Sequence, residues 1–255
     1  MSDAVLFDAR DDGIAIITLN RPEQRNALGK DIRDGLFAAW DRFERDPALR
    51  VAILTGAGEK AFCAGGDLKE MVERGLQVPP RDMFPVPGDN IELSKPTIAA
   101  VNGVAFAGGW MIAQACDLCV ASTEARFAIT EVKVGRSSPW AAPLIHMIPQ
   151  RIMMEIILTG KSITAQRAYE IGLVNRVVPA AELMAEAKKL AHTLASKAPI
   201  AVRYILEAVN QGLDAPFAVG EYLETSLFGT IASSADMKEG TKAFLEKRKA
   251  VWQGK

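Results

Sequence analysis

Cysteine and histidine are scarce in this chain, at three and two of 255 residues. Cys116-Asp117-Leu118-Cys119 is formally a CxxC, but no second CxxC and no nearby histidine accompanies it. A zinc or redox role therefore gives way to apolar packing, and no metal is expected. His146 falls in an apolar stretch and His192 in a helical one, and both read as structural. The chain also lacks an excess of either charge, with 30 basic against 31 acidic residues. A nucleic-acid binder would more often carry a basic face, so no nucleic acid is expected as a partner. No apolar run reaches the roughly 18 residues of a membrane helix, so no membrane span is expected. Met1-Ser2-Asp3-Ala4 opens neither a charged n-region nor an apolar h-region. With an odd cysteine count, that fits a reducing compartment and leads us to expect a cytoplasmic protein.

The chain has apolar residues in quantity. At 49% hydrophobic it can bury a sizeable core, as one large domain or one domain with an appendage. Ile14 to Leu19 and Val51 to Thr55 read as strands. Ile32, Leu36, Trp40 and Phe43 sit at helical spacing and predict a helix from Ala27 to Glu44. Strands recur at Leu118–Ala121, Ala125–Ile129 and Val174–Val178, with helices over Ile148–Gly160 and Thr164–Gly172. Alternation of this kind predicts an α/β fold with right-handed crossovers. Beyond Glu182 only helices are expected, the last one capped near Ser233-Ala235-Asp236. The chain thus divides into an α/β core over residues 1–195 and a helical region over 196–255. Gly75 to Asp89 holds Pro79, Pro80, Pro85 and Pro87. It reads as a loop or broken helix, either shaping a pocket or simply connecting.

Two glycine-rich turns carry the chemistry. One is Phe62-Cys63-Ala64-Gly65-Gly66-Asp67-Leu68, and the other is Asn102-Gly103-Val104-Ala105-Phe106-Ala107-Gly108-Gly109-Trp110. Each is expected to follow an apolar strand, Val51–Thr55 or Thr97–Val101, and to open a helix. Turns without bulky side chains can each aim a backbone N–H at one shared oxygen, which is an oxyanion hole. The same glycines also serve tight turns and close helix–strand packing.

These turns, in order along the chain with Leu19-Asn20-Arg21-Pro22, Asn26-Ala27-Leu28, Lys95-Pro96-Thr97, Cys116-Asp117, Phe127-Ala128-Ile129-Thr130-Glu131, Leu158-Thr159-Gly160, Gly172-Leu173-Val174 and Phe244-Leu245-Glu246-Lys247-Arg248, resemble the crotonase (enoyl-CoA hydratase/isomerase) superfamily over essentially the full length. The resemblance implies a spiral of ββα turns with an all-helical C-terminal region that trimerises, the trimers often pairing into hexamers. It implies an acyl-CoA substrate, with coenzyme A as part of the substrate and no separate cofactor, and a place in fatty-acid metabolism. By the same resemblance the N–H groups of Gly66 and Gly108 hold the thioester oxygen. Ala64, Asp67, Leu68 and Lys69, with Ala27, border the CoA moiety. Arg25, Lys69 and Lys247 are candidate phosphate partners, Lys247 from a neighbouring subunit, and Phe244 is a further candidate substrate-binding residue.

Two positions depart from the family pattern. A two-glutamate hydratase carries a glutamate three residues after the second oxyanion glycine, where this chain has Met111. The second family glutamate is retained as Glu131. An apolar pocket disfavours the charged form of a carboxylate, which suits proton transfer near neutral pH. After Gly135 the family's glycine-rich segment becomes Arg136-Ser137-Ser138-Pro139-Trp140. A gapless match puts Pro139, which has no N–H, where a water-holding N–H is usual. Trp140 either walls the acyl pocket or anchors the core, and Arg136 is placed to pair with Glu131. One carboxylate suits hydration with a single acid/base, or a Δ3,Δ2-enoyl-CoA isomerase. Thioester hydrolysis, carbon–carbon cleavage and a CoA-binding protein without catalysis remain alternatives.

Overall fold

In the structure, a computed structural model describing residues 3–73, 75, 80, 82–213 and 215–255, the backbone repeats one unit of strand, strand and helix. The first turn is β1 (Val5–Ala9), β2 (Ile14–Leu19) and α1 (Lys30–Arg45). The second is β3 (Val51–Gly56), β4 (Ala61–Cys63) and α2 (Leu68–Glu73), and the third β5 (Thr97–Val101), β6 (Val104–Phe106) and α3 (Gly108–Gln114). The fourth is β7 (Leu118–Ser122) and β8 (Arg126–Ala128), followed by α4 (Leu144–Met147) and α5 (Gln150–Thr159). Then come β9 (Ile163–Thr164), α6 (Ala165–Glu170), β10 (Arg176–Val178), α7 (Leu183–Ala195), α8 (Pro199–Leu213), α9 (Phe217–Ser233) and α10 (Ala235–Leu245).

Two sheets result, one of six strands in the order β1-β2-β3-β5-β7-β10 and one of four in the order β4-β6-β8-β9. From the second turn to the fourth, the longer strand of each turn joins the first sheet and the shorter joins the second. Successive turns therefore stack in parallel, β3 on β5 on β7 and β4 on β6 on β8. This is the α/β spiral the resemblance implies.

Strand residues alternate between faces. Val51, Ile53, Ile98, Ala100 and Val120 pack on one side against Leu183, Ala187, Leu190 and Ala191 of α7. Ala52, Leu54, Ala99, Val101 and Ala121 face the larger core, with Trp40 and Phe43 of α1 and Trp110 of α3. Cys63, Cys116 and Cys119 are buried free thiols. Burial raises all three, Cys63 and Cys119 to about 12, which suits packing and not nucleophilic work. No cluster of metal-ligating side chains occurs among the described residues. Within those same residues no helix is long and apolar enough to cross a membrane.

Several expectations shift in detail. Helix α1 starts at Lys30, because Leu28 instead bridges in parallel to Gly66 and Asn26 turns left-handed at φ 54°. The two glycine turns follow the three-residue strands β4 and β6, not β3 and β5 directly. Helix α10 is capped by Ser234, whose hydroxyl accepts from the Met237 N–H at 3.1 Å. In the proline-rich segment, Leu76 to Pro79 and Arg81 lie outside the described residues. Residues 82–93 run irregularly, with Asn90 holding a turn through Val86 N–H (2.8 Å) and the Phe84 carbonyl (2.7 Å). Phe84, Val86, Ile91 and Leu93 lean on the core. The Arg33 guanidinium lies 5.8 Å from the Phe84 ring and grips Glu70 of α2 through two bonds of 2.7 and 2.9 Å.

Candidate active site

The first glycine turn is braced from below. Buried Asn26 accepts from the Arg21 N–H at 2.9 Å and donates to the carbonyls of Ala57 (3.1 Å) and Ala61 (2.9 Å). That fixes residues 21–28 against the β3–β4 connection. The same segment then holds the turn, Leu28 N–H donating to Gly65 O (2.8 Å) and Ala64 N–H to Arg25 O (3.0 Å). Asp67 closes it, its Oδ1 accepting from the Lys69 and Glu70 N–H groups at 2.9 and 3.2 Å. Gly65 sits at φ +102°, a region open to glycine.

The second turn lies directly against the first. A Cβ on Gly65 would stand 3.4 Å from the Gly108 nitrogen, and one on Gly108 would stand 3.6 Å from the Gly66 nitrogen. A Cβ on Gly109 would fall 2.0 Å from the Cys63 carbonyl oxygen, so only glycine lets α3 approach β4 this closely. Ala107 precedes the helix at φ 50°, ψ −121°, a strained conformation for a residue with a Cβ. Its N–H donates to Ala128 O at 2.8 Å. Among the described residues, neither the Gly66 N–H nor the Gly108 N–H donates to a protein acceptor.

Both turns open onto one cleft of roughly 2690 Å³, larger than the ~300–1,000 Å³ usual for drug-sized ligands. Ala27, Ala64, Gly66, Asp67, Leu68 and Lys69 line it on one side, and Gly108, Met111, Glu131 and Trp140 on the other. Glu131 opens a 3₁₀ turn, Glu131–Val134. Trp140 lies in a second such turn, Pro139–Ala141, and its indole Nε1–H donates to Glu131 Oε1 at 2.9 Å. Glu131 Oε2 is buried without a partner among the described residues. Arg136 does not pair with Glu131; its guanidinium donates instead to the Met71 sulfur at 3.5 Å.

Gln114, one turn of α3 beyond Met111, was not legible as a site residue. Its amide Nε2 donates to the Trp140 carbonyl at 2.8 Å, and its Oε1 is likewise buried without a partner. Met111 itself is 6% exposed and belongs to the core edge of the cleft. Arg25, Phe244 and Lys247 do not line this cleft. Arg25 is exposed and Phe244, at 83% exposure, projects from α10. The Cys116-Asp117 pair is structural, Asp117 accepting from Thr97 N–H (2.7 Å) and Oγ–H (2.8 Å).

Residues 9–255 match the family model described as enoyl-CoA hydratase/isomerase. The chain belongs to that family. An (E)-benzylidenesuccinyl-CoA hydratase of Thauera aromatica is 41% identical over 94% of this chain and 96% of its own length. A mitochondrial enoyl-CoA hydratase of Pongo abelii is 40% identical, covering 93% of this chain and 82% of that one. The solved enoyl-CoA hydratase of Bacillus anthracis superposes with a TM-score of 0.91 at 33% identity, over 99% of this chain and 100% of that one. The family is one of enzymes acting on CoA thioesters, and the spiral described above is its fold. Within it, this chain combines two glycine N–H groups unpaired among the described residues with one carboxylate held by a tryptophan.

Proposed function

We propose that this family member adds water reversibly across the C2–C3 double bond of a 2-enoyl-CoA, with Glu131 as its one acid/base. The thioester oxygen lies between the Gly66 and Gly108 N–H groups, which stabilise the enolate; each such donor is worth about 3–4 kcal/mol of barrier. Glu131 Oε2 takes a proton as the water oxygen bonds to C3, and returns it to C2 as the enolate collapses. The observation that carries this reading is the Glu131 Oε2, buried without a partner among the described residues beside an Oε1 already committed to Trp140, in the cleft that Gly66 and Gly108 line.

Met111 favours a second reading, a Δ3,Δ2-isomerase, because a 1,3-shift needs only one base to remove and return a proton. CoA runs along Ala64 to Lys69, with Lys69 a phosphate partner and no further cofactor. The exposed apolar residues Ile205, Val209, Phe228, Phe244 and Leu245 favour burial against another copy. A trimer or dimer of trimers, organised by residues 196–255, would bring a neighbour's Phe244 and Lys247 to the CoA. Buried free thiols agree with a reducing, cytoplasmic setting.

The test is turnover of 2-enoyl- and 3-enoyl-CoA by wild type and Glu131→Gln, with products identified. Loss of about 10²–10⁴-fold is expected for the variant. Unchanged activity removes Glu131 from the mechanism. Free CoA or chain-shortened products point to hydrolysis or carbon–carbon cleavage, and binding without turnover points to a carrier.

A further inference from the structure

Among the described residues, Arg136 is a cation with nothing of opposite charge to hold. It lies half-buried in the cleft wall, and its one side-chain bond among the described residues goes to the Met71 sulfur, a weak acceptor. No described carboxylate pairs with it, and Glu131 is engaged by Trp140 instead. A guanidinium carries five N–H donors, and buried donors are satisfied in folded proteins. Solvent serves those donors only while the cleft holds no acyl chain. A bound hydrocarbon chain would displace that solvent and strand the charge, whereas an acyl group with its own anion would satisfy it.

The position says which anion. The Met71 sulfur that Arg136 touches stands 3.1 Å from where a Cβ on Gly66 would be, so one sulfur atom separates the guanidinium from the first oxyanion turn. The Arg136 N–H also donates to the Glu131 carbonyl at 3.0 Å, so Arg136 is anchored on the turn of the acid/base carboxylate and not at the Lys69 end of CoA. The group within reach of Arg136 is the acyl chain.

We propose that the substrate is an acyl-CoA carrying a second carboxylate on its acyl group, and that Arg136 binds that carboxylate. This rests on the cleft being an acyl-CoA site, as argued above. It is independent of whether the reaction is hydration.

Binding of saturated analogues tests it without turnover. Glutaryl-CoA against pentanoyl-CoA, and adipyl-CoA against hexanoyl-CoA, differ only by a carboxylate in place of a terminal methyl. By calorimetry, wild type should bind at least one carboxylated member about 10–100-fold more tightly than its partner. Arg136→Gln should lose that preference and bind the neutral analogues as wild type does. Arg136→Lys should keep part of it, since charge survives without the bidentate fork. Unaltered affinity for neutral analogues also shows that each variant is folded. No preference in wild type for either pair, or one that persists in Arg136→Gln, overturns the proposal. A preference that holds in a protein without 2-enoyl-CoA turnover would overturn the hydratase reading alone.

Discussion

Replacing Trp140 by phenylalanine keeps an aromatic ring in the cleft wall and deletes one N–H. That N–H donates to Glu131 Oε1 at 2.9 Å, the other oxygen being buried without a partner among the described residues. A hydrogen bond to a charged group contributes about 1.5–3 kcal/mol. At 1.36 kcal/mol per tenfold, the loss corresponds to about 10–150-fold in rate. If Glu131 is the acid/base, the indole acts through the carboxylate and not on the substrate, so kcat should fall while KM stays within about threefold. Steady-state turnover of a short 2-enoyl-CoA gives both constants. A double-mutant cycle with Glu131→Gln sharpens the test. If Trp140 positions Glu131, Trp140→Phe should cost little once the carboxylate is gone. An equal cost in both backgrounds, or a raised KM with kcat intact, would refute the argument and leave Trp140 as pocket wall.

Gln114→Leu removes the amide that holds the Trp140 carbonyl, a neutral bond worth about 1 kcal/mol; kcat should fall by roughly fivefold, and a variant indistinguishable from wild type would detach Gln114 from the site. Ala107→Gly should relieve the positive-φ strain at the head of α3 and stabilise the fold by about 1 kcal/mol, seen as a higher denaturant midpoint; a lower midpoint contradicts the strain assignment. Gly109→Ala should destabilise by roughly 3 kcal/mol or more, since the obstacle is the Cys63 backbone oxygen and not a side chain that can swing away; near-neutral unfolding would show that α3 and β4 have room to separate. The Arg248 guanidinium and the Val251 N–H hold Glu239 down at about 2, below its usual 4.5. Its support of the C-terminal segment should therefore be complete above pH 4.5 and be lost as pH falls toward 2, by the sign of the linkage; hydrogen exchange near Val251 that ignores this window, or responds equally in Glu239→Gln, would count against it.

The strands and helices with a full apolar period were legible in the sequence. Val51–Gly56 and Thr97–Val101 are buried on both faces, and α1 shows its stripe in Ile32, Leu36, Trp40 and Phe43. Strands β4 and β6 were not, because three residues cannot display a period and their sequences already read as glycine turns. Strand β1 sits at the sheet edge with Leu6 exposed, so its alternation is weak. Within the candidate site, the placement of Gly66, Gly108 and Glu131 on one cleft was readable because each sits in a single motif of fixed spacing. Gln114 carried no signal, since a glutamine on a short helix is ordinary. The choice between wall and anchor for Trp140, and the partner of Arg136, depended on how two 3₁₀ turns fold back on each other. That geometry lies in irregular chain between Glu131 and Trp140, where neither a period of 2 nor one of 3.6 applies.

The two halves of this site differ in how they can be inherited. The N–H groups of Gly66 and Gly108 belong to the main chain, so every residue but proline supplies the donor itself. Glu131, Trp140, Gln114 and Arg136 are side chains, and a single codon change removes any of them. On the mechanism proposed above, drift could rewrite which proton moves and which acyl group is accepted while the means of holding an enolate oxygen passed on intact. Met111 reads as one such rewriting, made on the helix that still begins with Gly108.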